Sequence, residues 1–391
     1  MQMEIGGDLE LAWNHFLWKR HYRCENFLPE GRSAIMMSNG RVSVRLILRH
    51  ILKVKRGEEV LLPAYVFEGL LTPFRESEME ITFYRLNPDL SLDLNDIQKK
   101  INPNTRILYL LHYFGFPQPI NGLEKLRQQY PSCAIIEDIT QSYLTDRLDQ
   151  TMGKLGDFAY FVYMKYVPVP DGSLLRFNRS MPDIDWNNRQ FKHFLYYSSR
   201  YLAMNLKNLY LHTRLIPKTW HQRLFGYAAR ILETYPMYAR MSWISSRLVD
   251  TFNYDQIIEI RRNNYEYLSK RWNFDQIIPL FSSLPSTVCP MGFVVLTEQR
   301  DLIRNELSKS GIYCPVHWQA INRGDGNLLS RSIDRAEFPV SWDIASRIMM
   351  IPIDQRYRQK EMDYILFNLQ RICKQLRYSL VKDARTIQVG H

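Results

Sequence analysis

The chain has 391 residues, 46% of them hydrophobic and 23% charged, which is enough apolar material for a large core and excludes a disordered chain. The net charge is +11, but no zinc finger, RNP-like motif or long Lys/Arg run accompanies it, so nucleic acid is not the expected partner. No apolar run approaches the roughly 18 residues of a membrane-spanning helix, and residues 1–13 carry Glu4, Asp8 and Glu10 with no basic residue, unlike a secretory signal or a mitochondrial presequence.

The first half alternates short apolar runs with helical patterns. Residues 41–54 place Val44, Leu48 and Ile51 on one helical face. Residues 59–65 (EVLLPAY), 81–86 (ITFYRL), 106–114 (RILYLLHYF) and 134–139 (AIIEDI) read as buried strands. Helical patterns over 93–101 and 123–129 lie between them, with turn signals at 55–57, 87–89, 102–104 and 116–122. Continuous apolar strands separated by helices predict an α/β fold with a mostly parallel central sheet flanked by helices. Such sheets bind ligands at the carboxyl ends of their strands. A further apolar run, 158–164 (FAYFVYM), precedes a strand-like 174–177. Residues 181–250 are helical, aromatic and basic, with ten Lys/Arg against four Asp/Glu and a break at Ile216–Pro217. The chain then enters an α+β region with a strand near 292–296 and helices near 300–310, 342–350 and 359–376. The expected organisation is a large domain over 1–250 and a smaller C-terminal domain over 251–391.

Three features in this frame carry chemistry. Ser38-Asn39-Gly40-Arg41 opens the first long helix, where backbone N–H groups suit a phosphate. Asp138 ends a buried strand and is followed by Gln141. Lys165 ends another, held against the Pro-rich stretch 166–173 (YVPVPDGS). Burial there favours the neutral amine that imine formation needs. A phosphate anchor, a carboxylate and an amine, in that order, are the groups that pyridoxal 5'-phosphate (PLP) chemistry requires. The five cysteines (Cys24, Cys133, Cys289, Cys314, Cys373) are scattered without CxxC spacing. They predict neither disulfides nor a metal site, and a reducing cytoplasm as the setting.

With these residues in place, the sequence resembles the DegT/DnrJ/EryC1/StrS family of PLP-dependent sugar aminotransferases, of fold type I. Gly40 and its neighbours occupy that family's phosphate loop. Residues 59–67 (EVLLPAYVF) match its "DEVIVPSxTF" segment, residues 111–117 (LHYFGFP) its "VHLYGxP", and residues 137–141 (EDITQ) its "EDxxQ". Gly156-Asp157 precede the lysine strand as in the family, and Lys165 stands at the family's spacing from Asp171-Gly172. In the C-terminal region, 300–312, 315–318 (PVHW) and 341–352 follow family patterns. The resemblance implies that Lys165 carries the cofactor, that Asp138 pairs with the pyridine nitrogen, that Gln141 contacts the ring hydroxyl and that Phe67 stacks on the ring. It implies His317 and Trp318 in the substrate pocket, a keto-sugar acceptor (nucleotide-linked), glutamate as amino donor, and a homodimer. The sequence departs from the family at Val162, where the family has a phosphate-binding Ser, with two residues fewer before the lysine. It departs also at Arg41 for Thr, at Ser173 for Gly, and in lacking "GxNxRM", in whose place the basic helical segment stands.

That segment has three readings: a helical insertion packing on the dimer or the substrate entrance, a surface for nucleotide-sugar phosphates, or a peripheral contact with membrane headgroups. Two rival functions stand beside the transaminase. Relatives with histidine in place of the lysine are sugar dehydratases, which Lys165 argues against. A catalytically inactive scaffold draws its support from Val162 and the missing "GxNxRM". His112, Cys133 and Cys314 read as packing residues.

Overall fold

The computed structural model describes residues 4–12, 33–148, 152–178, 190–234, 238–318 and 328–388. The chain divides into two compact units, Asp8–Tyr254 and Met1–Gly7 with Asp255–His391. The two residues of β1 (Ile5–Gly6) pair in parallel with β11 (Ile312–Tyr313), which places residues 4–7 with the second unit.

The larger unit is built on a seven-stranded sheet. In chain order its elements are β2 (Ser33–Met37), α1 (Gly40–Leu46), β3 (Glu59–Pro63), α2 (Leu71–Glu76), β4 (Glu80–Tyr84), α3 (Leu94–Lys100), β5 (Thr105–Leu111), α4 (Leu123–Gln129), β6 (Ala134–Asp138), α5 (Tyr143–Leu148), β7 (Phe158–Val162) and β8 (Ser173–Phe177). The strand order is β2-β8-β7-β6-β5-β3-β4. From β4 to β7 every pairing is parallel, whereas β8 is antiparallel to both β7 and β2. The apolar runs become strands because each is buried on both faces: every residue of β3, β6 and β8 is buried. The expected mostly parallel α/β sheet is therefore present. β2 is an addition; its SAIMM run closes the sheet edge against β8.

The helix opened by Gly40 runs into a π-helical turn at Ile47–Ile51. Of the predicted face it buries Val44 and Leu48, while Ile51, in the π-helical turn, is half-buried. The basic segment folds into two long helices, α6 (Phe191–Thr213) and α7 (Lys218–Thr234), which pack against each other and are separated at the predicted Ile216–Pro217 break. A short α8 (Trp243–Leu248) follows.

The second unit contains α9 (Tyr254–Arg271), β9 (Ile278–Pro279), β10 (Phe293–Leu296), α10 (Arg300–Lys309), β11, α11 (Leu328–Ser332), α12 (Pro339–Arg347), β12 (Ile348–Ile351) and α13 (Gln359–Gln388). A three-stranded antiparallel sheet β12-β10-β9 forms its centre. The helix expected over 342–350 stops at Arg347. The next four residues (IMMI) are fully buried and pair with β10. A short apolar run following an amphipathic helix extends the helical pattern on paper, but only a strand buries all four side chains.

Candidate active site

Asp138 is the last residue of β6 and is buried. Its Oδ2 accepts the Tyr109 hydroxyl at 2.7 Å and the Tyr160 hydroxyl at 2.8 Å, and its Oδ1 accepts the Thr140 N–H at 2.9 Å. Burial, and next the Asp138 charge, push both tyrosines well above the ordinary phenol pKa, so each remains a protonated donor. Neither tyrosine was picked out by the sequence reading, because Tyr within an apolar strand looks like core.

Lys165 lies one strand further along, at the end of a single 3₁₀ turn (Tyr163–Lys165) after β7. The residue is exposed, not buried as the apolar run before it leads one to expect, because the strand stops three residues short of it. Protein crowds it closely enough that desolvation draws its pKa below the usual lysine value; Arg200 adds to the depression, while Asp138 and Asp8 oppose it. No hydrogen bond holds the Lys165 amine among the described residues. The turn after it is rigid. Tyr163 N–H donates to Gly172 O at 3.1 Å and Gly172 N–H to Ser38 O at 2.8 Å, which ties the lysine turn to the start of α1.

Gln141 is buried and accepts the Phe114 N–H on Oε1 at 2.8 Å, and its carbonyl accepts the Tyr166 hydroxyl. Phe67 is 45% exposed, unusual for a large aromatic beside a buried strand. Asn39 caps α1 by accepting the Val42 N–H at 3.2 Å, and its amide donates to Ser38 Oγ at 3.3 Å. Gly40 packs closely here: a Cβ would lie 3.0 Å from Tyr160 Cε2 and 3.1 Å from Val162 Cγ2, so these side chains would have to give way. Arg41 lies over the Phe67 ring at 5.7 Å and is bound twice to Glu233 of α7, at 2.5 and 3.2 Å. Its guanidinium is thus already paired. Ser173 bonds Ser43 hydroxyl to hydroxyl at 3.0 Å.

Two acidic groups near the motif residues are structural. Glu137 sits fully buried, accepting the Gly153 N–H at 2.9 Å and the Gly156 N–H at 2.5 Å, and lying 3.2 Å from His112 Nε2. Burial alone would raise its pKa, but the hydrogen bond from His112 and those from the two amides outweigh this and hold it low. Because Gln118 N–H donates to His112 Nδ1, Nε2 carries the proton toward Glu137. Asp171, also fully buried, accepts the Ser242 N–H at 2.9 Å, the Ser242 hydroxyl at 2.5 Å and the Ser245 hydroxyl, and lies 2.7 Å from His193 Nε2. It anchors α6 and α8 to the loop after Lys165.

Ser38, Asn39, Gly40, Arg41, Phe67, Asp138, Gln141 and Lys165 all belong to the larger unit, on the ends of β2, β3, β6 and β7 and the loops that follow. His317 and Trp318 belong to the second unit. Their rings meet edge to face at 5.9 Å, and Trp318 has φ = +56°. Among the described residues no group of His, Cys, Asp and Glu could hold a metal ion.

One unit with a seven-stranded, mostly parallel sheet and a smaller unit with an antiparallel sheet match the fold of the type I aminotransferases. Residues 25–169 match the model of the DegT/DnrJ/EryC1/StrS aminotransferase family, in line with the resemblance read from the motifs. GDP-perosamine synthase of Vibrio cholerae is 25% identical over 150 residues, 36% of this chain and 38% of that protein. The chain thus matches well under half the length of that relative. UDP-N-acetyl-3-dehydro-alpha-D-glucosamine 3-aminotransferase of Acidithiobacillus ferrooxidans is 20% identical over 352 residues, 85% of this chain and 82% of that protein. Among solved structures, PseC of Helicobacter pylori, an aminotransferase involved in the biosynthesis of pseudoaminic acid, superposes with a TM-score of 0.66 at 15% identity, covering 95% of this chain and 94% of that one.

Proposed function

We propose that the protein is a PLP-dependent aminotransferase that moves an amino group from glutamate to a keto-sugar, nucleotide-linked, for polysaccharide or glycoconjugate assembly. The observation that carries this reading is Lys165. It is an exposed lysine in the turn after β7, with a depressed pKa and no hydrogen bond among the described residues, and β7 lies next to a strand that ends in the buried carboxylate of Asp138. A lysine whose pKa is drawn down holds more of the neutral, nucleophilic amine that imine formation needs.

The donor set fits PLP. Lys165 would hold the aldehyde carbon covalently, Asp138 would keep a proton on the ring nitrogen, Phe67 would cover a ring face, and Gln141 would meet the ring hydroxyl. Ser38, Asn39, Gly40 and Arg41 would line the phosphate end through the backbone. The family's substrate contacts would fall to His317 and Trp318. Bound PLP supplies an electron sink for the charge left when a C–H bond beside the transferred nitrogen breaks. The amine of Lys165, in its neutral form, takes that proton and returns it to the neighbouring carbon. Tyr109 and Tyr160 hold the Asp138 carboxylate in place so that it needs no reorientation as charge develops. A homodimer and a cytoplasmic setting belong to the same proposal, and size-exclusion chromatography with light scattering tests the first.

The test is direct. Incubation with PLP, borohydride reduction and peptide mapping should find the adduct on Lys165. Lys165→Ala should remove both the visible absorbance of bound cofactor and the amino transfer. A colourless wild type with no adduct would favour the scaffold instead.

A further inference from the structure

The buried face of α6 carries His193, Tyr196, Ala203, Met204, Lys207 and Asn208 at helical spacing, with Arg200 between them, one turn beyond Tyr196. The polar groups on this face differ in one respect. His193 is bonded to Asp171. Lys207 donates to the Asp8 carbonyl and lies 3.3 Å from Glu10. Arg41, on α1, is paired with Glu233. Arg200 has no carboxylate within ion-pair distance among the described residues. Its Nε is buried without a hydrogen bond, and its guanidinium rests on the Phe225 ring of α7 at 5.4 Å. The Tyr196 side chain is 1% exposed, and its hydroxyl is also without a partner.

Two buried donors left unbonded, one turn apart on one helix face, are costly unless something accepts from them. Their position says what it is. The Arg200 charge acts on both Lys165 and Tyr196, and Tyr196 also feels Arg41 at the start of α1. The His193–Asp171 bond ties this face of α6 to the loop after Lys165; Asp8 and Asp138 also act on Lys165, but neither bonds Arg200. Burial keeps Tyr196 protonated, so it is a donor.

We propose that Arg200 and Tyr196 form an oxyanion-binding pair beside Lys165, which accepts the phosphate of the cofactor or the carboxylate of the amino donor. The inference rests on the proposed PLP function for its ligands but not for its existence. It gives the α6–α7 segment a part in the site: one helix brings a guanidinium and a phenol to a place where Arg41 is already spent on Glu233.

The experiment compares wild type with Arg200→Gln, Arg200→Lys and Tyr196→Phe, titrating each apoprotein with PLP and with pyridoxal, which lacks the phosphate. A charge-assisted hydrogen bond of roughly 1.5–3 kcal/mol corresponds to about a tenfold to a hundredfold change in affinity. If the anion is the phosphate, Arg200→Gln weakens PLP by that factor and leaves pyridoxal unchanged, Arg200→Lys recovers part of it, and Tyr196→Phe loses less. If it is the donor carboxylate, PLP binding holds and the glutamate concentration needed to convert bound cofactor rises by the same factor. Equal losses for PLP and pyridoxal, or no change in any titration, overturn the pair. Inorganic phosphate supplies a readout independent of PLP: it should raise the melting temperature of wild type and not of Arg200→Gln. If wild type binds neither PLP nor pyridoxal yet shows this phosphate effect, the PLP function fails and the oxyanion pair stands; if phosphate has no effect either, both fail. Should Arg200→Gln not fold, Tyr196→Phe, which only removes an unbonded oxygen, carries the same comparisons.

Discussion

Tyr160 and Asp138 face each other across the sheet: they are register partners in β7 and β6, and the Tyr160 hydroxyl donates to Asp138 Oδ2 at 2.8 Å. Tyr109, on β5, meets the same oxygen from the other side, and the two phenol oxygens lie 2.5 Å apart. The carboxylate is thus held by neighbours on both flanking strands. Replacing Tyr160 by Phe leaves Tyr109 in place and should cost about 1.5–3 kcal/mol, the worth of one hydrogen bond to a charged group. Thermal unfolding reads this. Asp138→Asn keeps the shape and removes the charge, and amino transfer should fall by roughly a hundredfold or more while the fold persists.

The Lys165 amine should titrate below the ordinary lysine value of 10.5. The rate at which it reacts with PLP should rise with pH and level off once the amine is neutral. Removing a charge that favours the protonated form, by Asp138→Asn, should move that midpoint lower. Removing one that disfavours it, by Arg200→Gln, should move it higher. Reaction rates measured across pH in the three proteins decide this, and a midpoint that ignores both substitutions refutes the electrostatic account.

Glu137 is held low by His112 and by the amides of Gly153 and Gly156, despite its burial. Its folded-state pKa lies below its unfolded value near 4.5. It therefore stabilises the fold above that value, and the contribution disappears as pH falls through the lower, folded pKa. Glu137→Gln should flatten the loss of stability on the acid side. Glu137→Ala should cost roughly 1–3 kcal/mol for each amide left unsatisfied. Denaturant unfolding at several pH values measures both.

Gly172 has φ = +125°, and a Cβ there would lie 2.4 Å from Met241 Cε. Gly172→Ala should destabilise by about 1–3 kcal/mol from backbone strain, with the clash in addition. Adding Met241→Ala relieves the clash but not the strain, so the double variant should recover only in part. Because the Gly172 carbonyl accepts from Tyr163, the reactivity of Lys165 should drop in the single variant as well.

Much of the sheet was legible because its strands are uninterrupted apolar runs bounded by turns, and each run that ends in a charged residue, at Asp138 and Lys165, marks the ligand-facing edge. The partners of those residues were not legible. Tyr109 and Tyr160 look like core until strand order brings β5 and β7 to either side of β6. Arg200 is one cation among ten in a basic stretch, and only the pairing of Arg41 with Glu233 and of Lys207 with Glu10 distinguishes it. The strand at Ile348–Ile351 was hidden because four apolar residues fit a helix end as well as a strand, and only pairing with β10 decides. Arg41 is the opposite case: from sequence it is a cation at a phosphate loop, and its commitment to Glu233 depends on a helix almost two hundred residues away.

Side chains on neighbouring strands alternate between faces, so sliding β7 by a single residue against β6 would turn Tyr160 to the opposite side of the sheet and carry the lysine turn with it. Asp138 would then lose one of its two phenols, and Lys165 its place one strand away. Folding of the chain and assembly of the reactive pair are accordingly a single event, and the return of Lys165 reactivity after denaturation is a gauge of one strand register.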